Sequence, residues 1–375
     1  MDFRDSPAEA EFRGRLRVWL SDNNPGLPAS STDDEYWERQ AEWHTALYDA
    51  GFFGLSWPAR FGGHDLPTVF DVILDDELAA AGAPPRPSLG YLVIGISTHG
   101  SDAIKDRFLP GLISGRERWC QGFSEPDAGS DVASLRTRAD RVDDTYVVNG
   151  QKMWTSLAMD SDWCLLLART DADAPRHRGI SCLLVSMRTP GVTVQPVVLA
   201  TGNSETCLTF WDDVVVPADQ MLGEPGGGWG IALTTLAQER GPSNQGFLAT
   251  YRRRLSAAED IARRRGADRD PEVRRRLAEA YVVGETLRLV ALEQLSAHIA
   301  GDAFGPEGSV AKLLWTAADQ LVNHLKLDLA GADALTGAAP EDLADYLASR
   351  QASVYGGTSQ IQKNILARTL LGMPR

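Results

Sequence analysis

The sequence predicts an α+β chain in three parts: an N-terminal helical domain over 1–118, a middle β domain over 119–223 and a C-terminal helical bundle over 224–375. Three observations predict it. Apolar residues recur at helical spacing as far as Leu112. From Trp119 to Pro217, short β-rich runs alternate with turns at a spacing of about eight to twelve residues. From Trp229 the helical period returns and holds to Gly372.

From Glu9, the positions Phe12, Leu16, Trp19 and Leu20 stand among charges at a helical period, and Asn23-Asn24-Pro25-Gly26 stops that helix. A second helix runs from about Asp33 to Ala50 and closes at Gly51, with Trp37, Trp43 and Leu47 as its core face. A third spans Val69 to Ala81 and ends at the Gly82-to-Pro87 proline cluster; helix resumes between Leu89 and Leu112. Small residues in Leu89 to Gly95 either leave room for a bound chain or let helices pack closely. Close packing is the plainer reading.

The β runs are ADRVDDTYVVNGQKMW, DWCLLLART, HRGISCLLVSM, PGVTVQPVVL and ETCLTFWDDVVVP, and Gly223 to Gly228 is the linker that follows them. The C-terminal helices are broken at Gly301 to Gly308 and at Gly331 to Pro340. Arginine clusters at Arg252, Arg263 and Arg274 are expected on a solvated helix face or a subunit contact.

The net charge of -14 over 375 residues argues against nucleic acid and against an anionic membrane surface as partners. No apolar run reaches the length of a membrane helix, and the charged start MDFRDSPAEAEFRGRL lacks the centre of a signal peptide, so a cytoplasmic protein is expected. Cys120, Cys164, Cys182 and Cys207 are far apart, and the six histidines show no ligand spacing. Reduced thiols and no metal are expected.

Two stretches carry chemistry. In Gln121 to Asp131, QGFSEPDAGSD, a strand edge runs into a polar elbow, where Gly129 and Ser130 let the main chain approach a bound group such as a diphosphate. An ordinary strand-to-loop turn is the alternative. In Val147 to Ser156, VVNGQKMWTS, Asn149-Gly150 is a hairpin signal, and the returning strand delivers Trp154 and two hydroxyls. A core role for Trp154 is the plain competitor.

FSEPDAGSD followed by NGQKMWTS resembles the paired flavin signature of the acyl-CoA dehydrogenase family, and Tyr355-Gly356-Gly357-Thr358-Ser359-Gln360-Ile361-Gln362 is a third match in the same order. The resemblance implies that family's fold, with the β domain between two helical domains, and FAD as cofactor. It implies α,β-dehydrogenation of an acyl-CoA thioester to the trans-2-enoyl thioester, flavin N5 taking the β-hydride. Gln121, Phe123 and Ser124 would meet the flavin ring and Gly129 and Ser130 the diphosphate. Trp154 would pack on the ring, Ser156 would bond near N5, and Thr358 and Gln360 would reach the cofactor from the C-terminal region.

Many family members place the catalytic carboxylate after the tyrosine of Y-E-G-T, where this chain has Gly356. Another branch, which includes isovaleryl and long-chain enzymes and to which a bacterial FadE-like group is similar, carries it in an E-R dipeptide on the first helix after the β domain. Ala237-Gln238-Glu239-Arg240 matches that place, so the resemblance assigns Glu239 as the base. Pro242 is expected to open the helix beside it. The N–H of Gly356 remains a donor for the enolate oxygen. Ser130, Arg240 and Arg368 fall toward the coenzyme A thioester.

The implied partners are an acyl-CoA or acyl-carrier-protein thioester, an electron-transfer flavoprotein, and either identical subunits or a related subunit in a mixed tetramer. The family's R-x-x-F-G and Q-x-x-G-G-x-G segments are not visible, which leaves open what holds the FAD adenosine. Bacterial relatives acting on steroid side-chain thioesters form mixed tetramers, and HRGIS resembles that group. A flavin monooxygenase or acyl-CoA oxidase on the same fold, or a structural subunit of a mixed tetramer, are the alternatives.

Overall fold

A computed structural model describes residues 4–27, 35–238, 246–300 and 305–374. In chain order the helices before the sheet are α1 (Pro7–Asn23), α2 (Glu35–Asp49), α3 (Val69–Ala80), α4 (Gly90–His99) and α5 (Asp102–Ser114). The strands are β1 (Trp119–Gly122), β2 (Arg138–Val142), β3 (Thr145–Ser156), β4 (Trp163–Arg169), β5 (Ile180–Ser186), β6 (Val192–Val197), β7 (Thr206–Pro217) and β8 (Met221–Leu222). After them come α6 (Gly228–Gln238), α7 (Gly246–Arg264), α8 (Pro271–Ile299), α9 (Glu307–Ala330), α10 (Ala332–Thr336), α11 (Pro340–Gln351) and α12 (Ser359–Ile365). Helices therefore flank a β-rich middle, as the composition shift predicts. The segment expected as one helix from Leu89 to Leu112 is two, because Gly100 is extended and Ser101 caps α5 by accepting from Ile104 N–H.

The chain divides into two compact units. One comprises residues 37–65 and 88–239, and its centre is a single eight-stranded mixed sheet in the order β6-β7-β3-β2-β4-β5-β8, with β1 pairing in parallel with β4. Leu165 to Ala168 and Ile180 to Val185 are buried at every position. Unbroken burial means both faces of β4 and β5 are covered, which is why these strands read as continuous apolar runs instead of alternating. On one side Phe108 of α5 packs edge-on against Trp119 and Trp163, at 5.5 and 4.8 Å between centroids. The Gly223-to-Gly228 linker is docked: Gly226 N–H donates to Ser181 Oγ at 2.9 Å, and a Cβ on Gly228 would meet the Ser181 carbonyl carbon at 2.6 Å. Helix α6 packs on α4, and a Cβ on Gly95 would meet Thr235 Cγ2 at 2.9 Å. The small residues of Leu89 to Gly95 thus serve close helix packing.

The other unit comprises residues 1–36, 66–87 and 240–375. Helix α1 buries Phe12, Leu16 and Leu20 as its spacing predicts, and Arg13 and Arg17 both reach the Glu77 carboxylate of α3 at 2.7 Å. Tyr251, Leu255, Ala258, Ala280, Leu287, Ala318, Val322 and Leu325 form the core of α7, α8 and α9. One expectation is corrected here. Arg252 and Arg263 face solvent, but Arg254 turns inward and pairs with Asp319 and with Asp345, the latter at 3.0 Å. A triplet on a helix spans most of its circumference, so one member must face the core.

A second correction concerns Asn149-Gly150. The hairpin between β2 and β3 turns at Asp143-Asp144, with Asp143 at φ 50°, and Asn149-Gly150 lies inside β3. There β7 carries an extra residue: Val148 pairs with Val214 and Gly150 with Trp211. Asn149 holds this bulge by exchanging bonds with Asp213, donating from Nδ2 to Oδ1 at 2.9 Å and accepting from its N–H at 3.0 Å. Gly150 is required for close approach, since a Cβ would stand 2.6 Å from Thr137 Oγ1 and 2.7 Å from Thr137 Cα.

Candidate active site

The elbow begins where β1 ends. Gly122 lies so close to β4 that a Cβ would meet Cys164 Sγ and Leu166 Cδ1 at 3.0 Å. The chain then leaves the sheet, and Glu125 and Ala128 exchange both backbone hydrogen bonds, at 2.9 and 3.0 Å, around a Pro126-Asp127 turn. The Glu125 side chain points inward. Its carboxylate accepts from Arg136 N–H at 2.7 Å, from Thr137 N–H at 2.9 Å and from Lys152 Nζ at 2.8 Å.

Lys152 comes from the second stretch and is 0% exposed. Its ammonium also donates to the Phe123 carbonyl at 3.2 Å, and the neighbouring Met153 N–H donates to the Ser124 carbonyl at 2.9 Å. The two stretches singled out in the sequence are therefore tied together by one buried ion pair, one bond from the same ammonium to a backbone carbonyl and one backbone bond. Burial alone would raise the Glu125 pKa, but the Lys152 charge and the N–H donors override it and hold the carboxyl below its ordinary value. Burial lowers the Lys152 pKa, and the Glu125 carboxylate opposes that.

Directly after Lys152 the strand changes face. Lys152 pairs with Thr209 and Thr155 with Cys207, so β3 spends three steps where β7 spends two. By strand alternation Trp154 would share the buried face of Tyr146, Val148 and Lys152. The extra residue, with Trp154 at φ 63°, reverses this. Trp154 is 51% exposed, while Thr155 turns inward and its Oγ1 has no partner among the described residues. A tryptophan in left-handed backbone with its ring outside is strained on two counts, and such strain gathers at functional sites.

The two stretches also display polar groups. Ser156 is exposed at the end of β3, Gln121 and Ser124 are half-buried, Phe123 is buried, and Gly129 and Ser130 are exposed. A Cβ on Gly129 would meet nothing within 4 Å. Among the described residues, the N–H groups of Ser124, Gly129 and Ser130 donate to no protein acceptor. Asp131 at the far end of the elbow pairs with Arg176. An exposed aromatic face, N–H groups without a protein acceptor and small hydroxyls, carried on two stretches tied together through Lys152 and Met153, fit a planar ring carrying an anionic chain. These donors thus fit a flavin dinucleotide.

The remaining candidates lie in the other unit or outside the described residues. Glu239, Arg240 and Pro242 are outside them. Gly356 and Gly357 are both left-handed, at φ 62° and 89°. Gln362, fully buried, donates from Nε2 to both of their carbonyls at 2.9 and 3.2 Å. Thr358 caps α12 by accepting from Ile361 N–H at 3.2 Å, and Gln360 and Arg368 are exposed.

Three residues of this framework escape the sequence reading: Glu125, Lys152 and Gln362. For Lys152 the signal was present. It shares the parity of Tyr146 and Val148, so alternation puts a lysine in the core, and a buried lysine demands a carboxylate.

Residues 6–116, 120–214 and 226–371 match, in turn, the N-terminal, middle and C-terminal domains of acyl-CoA dehydrogenases. The chain belongs to the acyl-CoA dehydrogenase family. It is 40% identical over 97% of its length to 98% of acyl-CoA dehydrogenase IpdE1 of Mycobacterium tuberculosis. Among solved structures it is similar to the Tcur3481-Tcur3483 steroid ACAD, at TM-score 0.85 and 30% identity with full coverage of both chains. It is also similar to the ChsE4-ChsE5 complex of Mycobacterium tuberculosis, at TM-score 0.82 and 30% identity with full coverage of both. As a member of this family the chain is an oxidoreductase of acyl-CoA and a FAD-dependent flavoprotein. The expected acyl-CoA dehydrogenase fold is the one observed. Among the described residues no helix is long and apolar enough to cross a membrane.

Proposed function

We propose that this chain catalyses α,β-dehydrogenation of a bulky acyl-CoA thioester, with Glu239 removing the α-proton. The observation that carries the reading is the exposed Trp154 ring on a strand tied through Lys152 to an elbow whose N–H groups at Ser124, Gly129 and Ser130 have no protein acceptor among the described residues. FAD, when bound, would supply the acceptor for the β-hydride. Trp154 offers its face to the ring, Gln121, Phe123, Ser124 and Ser156 offer its polar edge, and Gly129 and Ser130 offer N–H groups to the diphosphate. The resemblance would add Thr358 and Gln360 to the residues that hold the cofactor.

Glu239 is supported by its place in an E-R dipeptide just after α6, and by the glycine at position 356. A glutamate at Gly356 would have to adopt left-handed backbone, which a residue with a Cβ rarely takes. The main chain of Gly356 then serves the thioester oxygen as a donor. Ser130, Arg240 and Arg368 serve the coenzyme A end.

Two solved relatives carry paired chain names, and one of those pairs is named a steroid ACAD. This supports a polycyclic or branched acyl group and a tetramer mixed with a related subunit, electrons leaving to an electron-transfer flavoprotein. The test is anaerobic bleaching of the FAD-loaded protein by a panel of straight, branched and steroid acyl-CoA thioesters. Bleaching by a ring-bearing thioester is expected, and Glu239→Gln should stay yellow without bleaching. A Glu239→Gln protein that bleaches at the normal rate places the base elsewhere.

A further inference from the structure

We infer that Lys152 is a positioning residue for the flavin site: through Glu125 and the Phe123 carbonyl it fixes the register that turns Trp154 outward and the elbow's N–H groups toward the cofactor. This rests on the flavin reading above and adds to it a residue that touches no cofactor.

The geometry has three parts. First, Lys152 is the last β3 residue in regular pairing with β7 before the extra residue that flips Trp154. A strand that slipped back by that residue would carry Trp154 inward and Thr155 outward, since every side chain changes face with a one-residue slip. The orphaned Thr155 Oγ1 would then reach solvent. Nothing in local preference holds the flipped state, because left-handed backbone costs a tryptophan free energy. An opposing constraint is needed, and the fully buried ammonium supplies it: slipping would pull Nζ off both Glu125 and the Phe123 carbonyl in a place with no water to replace them.

Second, the same ammonium orients the elbow. A trans peptide points its C=O and N–H in opposite directions, and no cis peptide is present among the described residues. With the Phe123 carbonyl held inward on Lys152, the Ser124 N–H must face out, where it has no protein acceptor among the described residues. Third, the Glu125 carboxylate anchors the start of the elbow to Arg136 and Thr137 N–H, so that the segment leading into β2, the elbow and β3 meet at one point. A hydrophobic residue of similar length at position 152 fills the space but holds neither carbonyl nor carboxylate.

The experiment is a double-mutant cycle on FAD binding by the full-length protein, read by quenching of flavin fluorescence well below the unfolding temperature. Lys152→Met should raise the FAD dissociation constant at least tenfold. Trp154→Phe should raise it severalfold in the native background and by less than twofold in the Lys152→Met background, because a displaced ring has nothing left to lose. Arg254→Met serves as the control for lost stability alone and should leave FAD affinity within twofold. If Lys152→Met does not fold, Glu125→Gln takes its place in the same cycle. A folded Lys152→Met, or its substitute, that binds FAD within twofold of the native protein overturns the inference, as does a Trp154→Phe effect equally large in both backgrounds. A native protein that does not bind FAD refutes the flavin reading itself, a separate outcome visible before any variant is made.

Discussion

Lys152 Nζ lies 2.8 Å from Glu125 Oε1, and both side chains are buried, at 0% and 8% exposure. The pair joins two segments that in sequence look like independent loop motifs. Removing one partner leaves the other charge in a low-dielectric interior, a loss of about 3–5 kcal/mol. Lys152→Met should therefore lower stability by that amount in urea titration, far more than Lys363→Met on the exposed side of α12. Equal losses for the two would show the pair to be energetically idle.

Acid should expose the same pair. Glu125 has a folded pKa below its ordinary 4.5, so its contribution is complete above that value and is lost as pH falls through the folded pKa. The stability gap between the native protein and Glu125→Gln is expected to be widest at neutral pH and to close progressively below about pH 4.5. A gap that stays constant down to pH 3 would mean the fold does not lower the pKa of this carboxyl.

Gly150→Ala tests the bulge. The new methyl meets Thr137 Cα and Oγ1 at under 3 Å, and the residue must hold φ 149°. Overpacking against backbone costs about 1–3 kcal/mol, and a strained φ adds to it. Thermal unfolding should register a loss in this range; a neutral result would place β2 farther from β3 than the structure does.

These positions show how much was legible beforehand. Tyr146, Val148 and the helix faces of Phe12, Leu16 and Leu20 follow from period, and Leu165 to Ala168 from an unbroken apolar run, because burial is what selected them. Asn149-Gly150 looks like a turn because glycine next to asparagine suits both a hairpin and a bulge, and only the partner strand decides between them. Trp154 defies alternation for the same reason: the extra residue is defined by β7, far away in sequence. Arg254 was hidden in a triplet whose members are chemically equal, and its fate depends on Asp319 and Asp345 from two later helices.

Arg254 yields its own prediction. It pairs with Asp319 and Asp345, and Lys326 in turn holds Asp342 at 3.0 Å and Asp345 at 2.6 Å. Burial pushes the Asp319 pKa up against the pull of Arg254. With Arg254→Met the Asp319 carboxylate loses its cation, and about 3–5 kcal/mol should be lost. Adding Asp319→Asn should recover part of that. If the double variant is less stable than the single one, the charge at 319 is not the source of the loss.

His44 sets the pH dependence nearest neutrality. Its ring lies 4.3 Å from that of Phe53, its Nε2 is 3.0 Å from the Ile113 carbonyl, and a Cβ on Gly115 would come within 2.6 Å of Nδ1. Because the carbonyl can only accept, Nε2 carries the proton and Nδ1 is bare. Burial pushes the pKa down to about 4, a shift that the bond to Ile113 only partly resists. In the unfolded chain the group titrates at its ordinary 6.5, so below that pH the unfolded state takes up a proton that the fold refuses. The neutral ring's contribution is complete above pH 6.5, erodes between 6.5 and 4, and amounts to roughly 3 kcal/mol over that window. Unfolding by urea at pH 7.5 and pH 4.5 should show the drop, and His44→Phe should flatten it, since phenylalanine fills the same slot without a proton to bind. A His44→Phe protein with the native slope would assign the acid sensitivity to His99, whose pKa burial also lowers, or to the carboxylates.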